Sequence, residues 1–502
     1  MPRDLPANPD LTHLRKQAKD LLHEFERGDP TAIERFRALN VRAPKLADAQ
    51  LAIARDYGFP SWTRLKAHVE SLGKPVDPFR AAVDAIEADD ALTLRQLLRD
   101  HAELRARIDR PISGLAFDSV AIVAAATRNN REIVNVLLDA GADINGRSRW
   151  WAGGFGVLDS CEPSFAPFLI ERGATVNANA AARLDMLDAL RDIVARDSKA
   201  VHARGGDGQT PLHVAASVEV AAYLLDHGAD IDALDVDHES TPAQYAIGER
   251  QPVVRYLVAR GCKTDILMAA ALGDLELVRR HLDANPDAIR TTVSRRYFPM
   301  RNFHAGGTIY IWTLGANMSP HQAAKRFHHD DVFAFLMERT PVELQFAIAG
   351  ELGDAQLVHT LLAKQPDLID RLSEDQRGSL VSAAQSENMN AVRTMLEAGW
   401  PVDARGQHGG TALHWAAFHG DVPMAREILR FTPPLEVLDK DFGGTPLGWA
   451  LHGSKGGPHP PRRDYAGVVD ALLAAGAKLP TGNVEASDAV RAVIARYERS
   501  RA

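Results

Sequence analysis

Cysteine is almost absent from this 502-residue chain: only Cys161 and Cys262 occur, too few for a disulfide framework and in keeping with a reducing compartment. Aromatic residues are sparse at 6%, and no run approaches the roughly 20 apolar residues that a membrane-spanning helix needs. A surplus of positive charge is missing too. The formal net charge of -8 gives no overall pull toward nucleic acid or an anionic membrane. The opening "MPRDLPANPDLTHLRKQAKDLL" places charges where a secretion signal needs an apolar run, so a cytoplasmic location is expected. Phosphate-cradling glycine loops, HExxH, GxSxG and CxxC are all lacking, and no catalytic residue, metal ligand or cofactor is predicted. With 45% hydrophobic and 25% charged residues, the composition is that of an ordinary globular chain.

Self-similarity is what the chain has in abundance. Its clearest copies are "GQTPLHVAASVEVAAYLLDHGADIDA" from Gly208, "GGTALHWAAFHGDVPMAREIL" from Gly409 and "GGTPLGWALHG" from Gly443. Weaker copies keep only the second half, as in "NREIVNVLLDAGADING", "GDLELVRRHLDANPDAI", "GDAQLVHTLLAKQPDLI" and "NAVRTMLEAGWPVDA". About a dozen units fit between Pro78 and Pro480 at a period of roughly 33 residues. Each unit reads as a helical hairpin. Threonine caps an inner helix, proline sits in its first turn, an Ala-Ala pair allows close packing, and "VxxLL" supplies the outer stripe. Glycine then accepts the left-handed conformation that ends the outer helix.

These motifs resemble the ankyrin-repeat family, and more narrowly long bacterial ankyrin proteins with a short helical N-terminal module. The resemblance implies an all-α solenoid over residues 78–484, preceded by a helical module (1–77) and closed by a capping helix (485–502). It also implies a protein-binding role. Of the three histidines in "HGGTALHWAAFHGD", His414 takes the family's hairpin-bracing position. His419 lies about 140° further round the helix and His408 precedes it, so both are expected at the surface and the three do not converge on a metal.

Three irregularities interrupt the period. Residues 291–331 add roughly twenty residues before an inner helix near Ser319; here Arg295, Arg296 and Arg301 alternate with Tyr297, Phe298 and Phe303, and "TIYIWTL" alternates like a strand. Such a finger either arches over a small anionic or aromatic ligand, or packs Phe298, Tyr310 and Trp312 onto its neighbours. His321, His328 and His329 lie close by in sequence, but the adjacent pair diverges. The second irregularity, "GSKGGPHPPRRDY" (453–465), reads as an exposed loop with a small basic spot at Lys455, Arg462 and Arg463. The third, "RSRWWAGGFGVLD" (147–159), offers two tryptophans either to a partner or to a widened gap between repeats.

The N-terminal residues read as three or four short helices. Residues 45–68 have a helix-turn-helix look, with Thr63, Arg64, Lys66 and His68 on the last helix. The plainer reading packs Leu46, Leu51, Ala54, Phe59, Trp62 and Leu65 into a cap. In "VDHESTPAQY", Asp235 and Asp237 flank His238 closely enough to orient a proton-transfer histidine, although such finger residues ordinarily satisfy their own loop amides.

The family geometry implies ligand-facing positions at the fingertips and after the Ala-Ala pair. Together with the inserted finger, these give the candidate partner-binding set: Trp151, Asp237, His238, Arg295, Arg296, Tyr310, Trp312, Arg326, Phe327, His408, Phe418, His419, Phe442 and His452. Trp415 and Trp449 fall at core positions. The expectation is a non-catalytic scaffold for an unidentified protein partner. The alternatives are a small-molecule binder or enzyme with a pocket under residues 291–318, and a DNA-associated regulator using the N-terminal helices.

Overall fold

A computed structural model describes residues 11–39, 41, 43–59, 61, 62, 65, 66, 69, 77–455, 463–479 and 485–501. Among the described residues every regular element is an α-helix or a 3-10 helix. The chain divides into two compact units, Met1–Val176 and Asn177–Ala502.

The first unit opens with helices Leu11–Glu26, Pro30–Ala38 and Leu46–Asp56. Their apolar faces meet in a core of Leu14, Leu21, Phe36, Ile53, Ala54 and Leu65, with Phe59 and Trp62 packed against it. Leu46, expected in that core, is exposed instead, because it starts its helix at the solvent end. Of the residues offered for DNA contact, Thr63, Arg64 and His68 lie outside the described residues. Helix pairs follow at Pro78–Glu87 with Ala91–Asp100, then Ala121–Thr127 with Arg131–Asp139, then Val157–Ser160 with Ala166–Glu171.

The second unit continues the same hairpins through to Pro446–Gly453 with Tyr465–Ala474, and ends in the helix Asp488–Arg501. Val490 and Ile494 of that last helix are buried in the core of the final repeats. Inner helices stop where the sequence changes character. Gly420 ends Ala412–His419 at φ +65°, and a side chain there would press on the Asp464 amide.

One buried device recurs in the two copies that keep the histidine. The Thr411 amide donates to His414 Nδ1 at 3.0 Å, and His414 Nε2 donates to the Gly444 carbonyl of the next finger at 3.1 Å. Thr210, His213 and Ser240 repeat it at 3.0 and 3.0 Å. The histidine therefore stands where a capping box ordinarily puts Glu or Gln. Its spare nitrogen reaches across to the following repeat.

Two expectations change. The inner helix of the "TPLHVAAS" copy is reduced to a turn over residues 211–214. Ser217 already caps the outer helix Val218–Asp226, so no chain is left for a second inner turn. "TIYIWTL" is not a strand: Tyr310–Thr313 is a single helical turn. A strand needs a neighbouring ladder, and hairpins of helices offer none.

Burial lowers the pKa of His213 to about 4 from the usual value near 6.5. Between those values the unfolded chain binds a proton that the folded chain refuses, so this contribution to stability is lost as pH falls through that window. His213→Gln removes the titration while keeping a neutral donor and acceptor. The gap in unfolding free energy between wild type and His213→Gln, measured by urea denaturation, is expected to narrow by on the order of 2 kcal/mol from pH 7.5 to pH 4.5. A gap independent of pH would show that His213 is not buried neutral.

Candidate functional site

Fingertips in the second unit are shaped by single buried aspartates. Asp439 accepts from the amides of Asp441, Phe442 and Gly444 and from Trp449 Nε1, at 2.6–2.9 Å. Burial opposes its ionisation, but these donors outweigh that and hold its pKa down to about 2. The loop is thereby fixed with Phe442 projecting outward, 72% exposed. His408 of the preceding finger donates from Nδ1 to Asp441 at 2.8 Å, and its ring lies 5.2 Å from that of Phe442. Beneath them sit Trp415 and Trp449, both buried as expected and crossed edge-to-face at 5.3 Å. An open cleft of about 530 Å³ adjoins the tips, lined by Glu374, Arg405, His408, Leu438, Lys440 and Asp441.

Phe418 and His419 border the same tryptophans. His419 is a correction, because it is largely buried rather than at the surface. Its Nε2 donates to the Gln385 carbonyl at 3.0 Å, and Nδ1 accepts from Arg463 at 2.9 Å. Burial lowers its pKa, against the pull of neighbouring Glu387. Arg463 is thus drawn into a contact rather than left in a solvated basic spot; Arg462 lies outside the described residues. His452 is exposed. The structure accordingly gathers His408, Phe418, His419 and Phe442 around one aromatic base. Leu438, more than half exposed beside the cleft, was missed by sequence reasoning because a lone leucine carries no motif.

The inserted finger does not assemble its candidates. Glu239 accepts from the amides of Arg301 and Asn302, the Gly306 amide donates to Asp237, and the Ile309 amide donates to Ser240 Oγ. These bonds lay residues 301–309 down on the 237–240 fingertip. Asp237 and His238, expected to face a ligand, are therefore buried beneath the insertion. Tyr310 is fully buried; its hydroxyl donates to Asp265 at 2.8 Å and its ring meets Phe298 edge-on at 5.3 Å. Trp312 is 61% exposed with its ring 5.0 Å from His238, while Arg295 and Arg296 stand in solvent, Arg296 near Asp375. Arg326 is exposed yet braces the end of the insertion through the Leu314 carbonyl, and its guanidinium lies over the ring of half-buried Phe327. Asp235 satisfies the amides of His238 and Ser240 and the Tyr245 hydroxyl, as loop-forming aspartates do. His321, His329 and His328 turn apart: the first meets Thr340, the second the Ala271 carbonyl, and the third is exposed at φ +63°.

Within the first unit, Trp151 is 40% exposed beside Trp150, whose ring packs edge-on against Phe117 at 5.3 Å. Phe117 also lines a groove of about 200 Å³ with Leu115, Val123, Thr127, Arg128 and Phe155.

Family comparison agrees with this architecture. Residues 178–268 match a model of ankyrin repeats in three copies, residues 380–426 one of ankyrin repeats in many copies, and residues 120–149 the single ankyrin repeat. The chain carries ankyrin repeats. Among known proteins it is similar to palmitoyltransferase Hip14 of Drosophila melanogaster, 28% identical over 128 residues (26% of this chain, 18% of that protein). A homologue of transient receptor potential cation channel subfamily A member 1 from Caenorhabditis elegans is 26% identical over 226 residues (44% and 15%). E3 ubiquitin-protein ligase XB3 of Oryza sativa subsp. japonica is 32% identical over 102 residues (20% and 23%). The matched part is under a quarter of each relative's length. The human ASB11 ankyrin repeat domain, a solved structure, aligns with 61% of this chain and 100% of its own at 18% identity and a TM-score of 0.26. No described helix is long and apolar enough to cross a membrane. Ankyrin repeats are generally protein-interaction modules, and here their fingertips differ chiefly in whether something covers them.

The docked insertion makes Tyr310 part of the ankyrin core. Burial raises the pKa of Asp265, which loses its side-chain donor when the tyrosine hydroxyl is removed. Tyr310→Phe is expected to lower stability by about 1–3 kcal/mol, and Arg296→Ala by less than about 0.5 kcal/mol. Urea denaturation of both variants checks this; equal, small effects would mean that the insertion is not docked.

Proposed function

We propose that this chain is a non-catalytic scaffold that binds a protein partner in the cytoplasm along its ankyrin fingertips, with the C-terminal tips as the main anchor. The observation that carries this reading is the posture of Phe442. It is a large apolar side chain held out in solvent by a fully bonded loop, above a rigid tryptophan base and beside a cleft of mixed charge. Leaving such a ring in water gains nothing for folding, whereas aromatic anchors ringed by polar groups carry most of the affinity of protein interfaces. His408, Leu438 and Arg405 supply the surrounding contacts, and Trp151 offers a second anchor in the first unit. In this reading residues 1–77 and 485–502 close the ends of the 78–484 array, which terminal repeats require for solubility.

Affinity capture from lysate of the source cell, with wild type and Phe442→Ala as paired baits, tests the assignment. The expected outcome is a protein recovered with wild type and reduced more than tenfold with Phe442→Ala, the two baits melting within a degree or so of each other. An identical set of captured proteins with both baits would remove Phe442 as the anchor and, with it, this reading of the surface.

A further inference from the structure

Between residues 291 and 329 the chain carries no aspartate or glutamate, although 66 of its 502 residues are acidic and its net charge is -8. Five arginines and lysines lie in the same span. Two of them are engaged: Lys325 pairs with Asp330, and Arg326 donates to the Leu314 carbonyl. Arg295, Arg296 and Arg301 are exposed. Among the described residues Arg295 and Arg301 have no carboxylate partner. Arg296 comes only within 3.8 Å of Asp375, with both side chains largely in water. Glu239 binds the backbone amides of Arg301 and Asn302 and leaves the Arg301 guanidinium uncontacted.

Two large rings stand out of the same insertion, and each is held there by its backbone. Asn302 Oδ1 accepts from the His304 amide at 3.0 Å, and the Asn302 carbonyl accepts from the Ala305 amide at 3.1 Å. Phe303 occupies the corner of that turn and is 85% exposed. Trp312 follows Tyr310 by two residues, about 200° round the same helical turn. Because Asp265 holds Tyr310 inward, Trp312 faces outward, its ring 5.0 Å from that of His238. The covered fingertip brings these pieces together, since Arg301 is fastened to Glu239 and Trp312 rests on the adjacent His238. Arg295 and Arg296 lie in a turn closed by the Phe298 amide on the Ser294 carbonyl at 2.9 Å, and the Phe298 ring packs on Tyr310.

We propose that this exposed side of the insertion binds an acidic segment of another protein, in which Asp or Glu residues are interspersed with aromatic or leucine side chains. Guanidinium pairs with carboxylate through two parallel hydrogen bonds, and Arg295 and Arg301 have those donors available. Phe303 and Trp312 supply the apolar contact that anchors such a segment. A role in folding accounts for neither feature, because a ring left in water gains no burial and an exposed arginine adds little stability. Nucleic acid fits this surface less well. Its charge is continuous along the strand, and Glu239, Asp375 and the net charge of -8 oppose a long polyanion here. A few carboxylates spaced along a peptide meet the arginines without that repulsion. The site uses none of the residues of the C-terminal tips and stands whether or not Phe442 anchors a partner.

Random short peptides displayed on phage are panned on the full chain and, in parallel, on Arg295→Gln/Arg301→Gln and on Phe303→Ser. Circular dichroism and melting check that both variants fold; they alter different side chains, so each checks the other should one melt early. Sequences recovered with wild type and lost with the variants are expected to be enriched in Asp and Glu together with Phe, Trp or Leu. A labelled peptide of their consensus should bind wild type with a Kd of about 10 µM or tighter by fluorescence anisotropy. Each variant should weaken it by about tenfold or more, and raising salt from about 0.05 M to about 0.3 M should weaken it several-fold. Leu92→Ser, at another exposed apolar position, should leave the affinity unchanged. The proposal would be overturned if no recovered sequence depends on these positions, or if the dependent sequences are not enriched in acid. It would equally fall if a single-stranded oligonucleotide binds as tightly as the consensus peptide, or if sedimentation shows a wild-type dimer that the variants dissociate.

Discussion

The constraint on which the rest of this molecule depends is the buried imidazole that must satisfy backbone groups of two successive repeats at once. His414 and His213 each accept an amide proton from the threonine that starts their own hairpin, and each donates to a carbonyl of the following finger. Neither nitrogen can change role without losing a partner in the interior, where an orphaned amide or carbonyl costs more than the bond itself contributes. Register between neighbouring units follows from that, because the next finger has to present its carbonyl at one place. Close packing of the small residues then holds the inner helices at that spacing: Ala416 and Ala417 are fully buried, as are Ala323 and Ala324.

A finger held at its base still has to be shaped at its tip, and a single aspartate does this twice. Asp439 gathers three loop amides and an indole; Asp235 gathers two amides and a phenol. In both loops the third residue after the aspartate is thrown to the tip: Phe442 in one, His238 in the other. What separates their fates is the chain that follows. Residues 301–309 lie across His238 and bury it, whereas Phe442 is left projecting into solvent. Covering a tip turns it into an interior with polar demands of its own, and leaving it bare turns it into a surface for contact.

The hairpins, their caps and the burial of Trp415 and Trp449 were legible in the sequence, because spacing alone fixes which face of an inner helix meets its neighbours. Legibility failed where a residue's setting is decided by a distant segment. The alternation of "TIYIWTL" is real, with Tyr310 inside and Trp312 outside, but the period of two reflected one helical turn seated on a finger rather than a strand. His419 reads as exposed from its helix, but the Gln385 carbonyl, 34 residues earlier, and Arg463, 44 residues later, enclose it. Asp207 and His238 lie 31 positions apart, near one repeat length, so a pattern search sees two ordinary fingertips. Their meeting needs the φ +54° turn at Asp207 and the carbonyl of Gly307, neither of which a local motif records.

Histidine chemistry in this chain is therefore set by what each ring nitrogen meets, not by sequence company. His414 has both nitrogens committed to backbone and is inert scaffold. His419 divides its nitrogens between a carbonyl and an arginine, a pairing that keeps the ring neutral. His408 donates to a half-exposed carboxylate at a fingertip, where water screens the contact. In His238 one nitrogen is fixed as a donor by the Gly307 carbonyl at 2.8 Å while the other lies 3.7 Å from Asp237 and 3.9 Å from Asp207, all three residues being buried. In each of the four the setting is made by a segment outside the histidine's own motif, and His238 shows it most plainly, since its ring is fastened by a carbonyl 69 residues further along the chain.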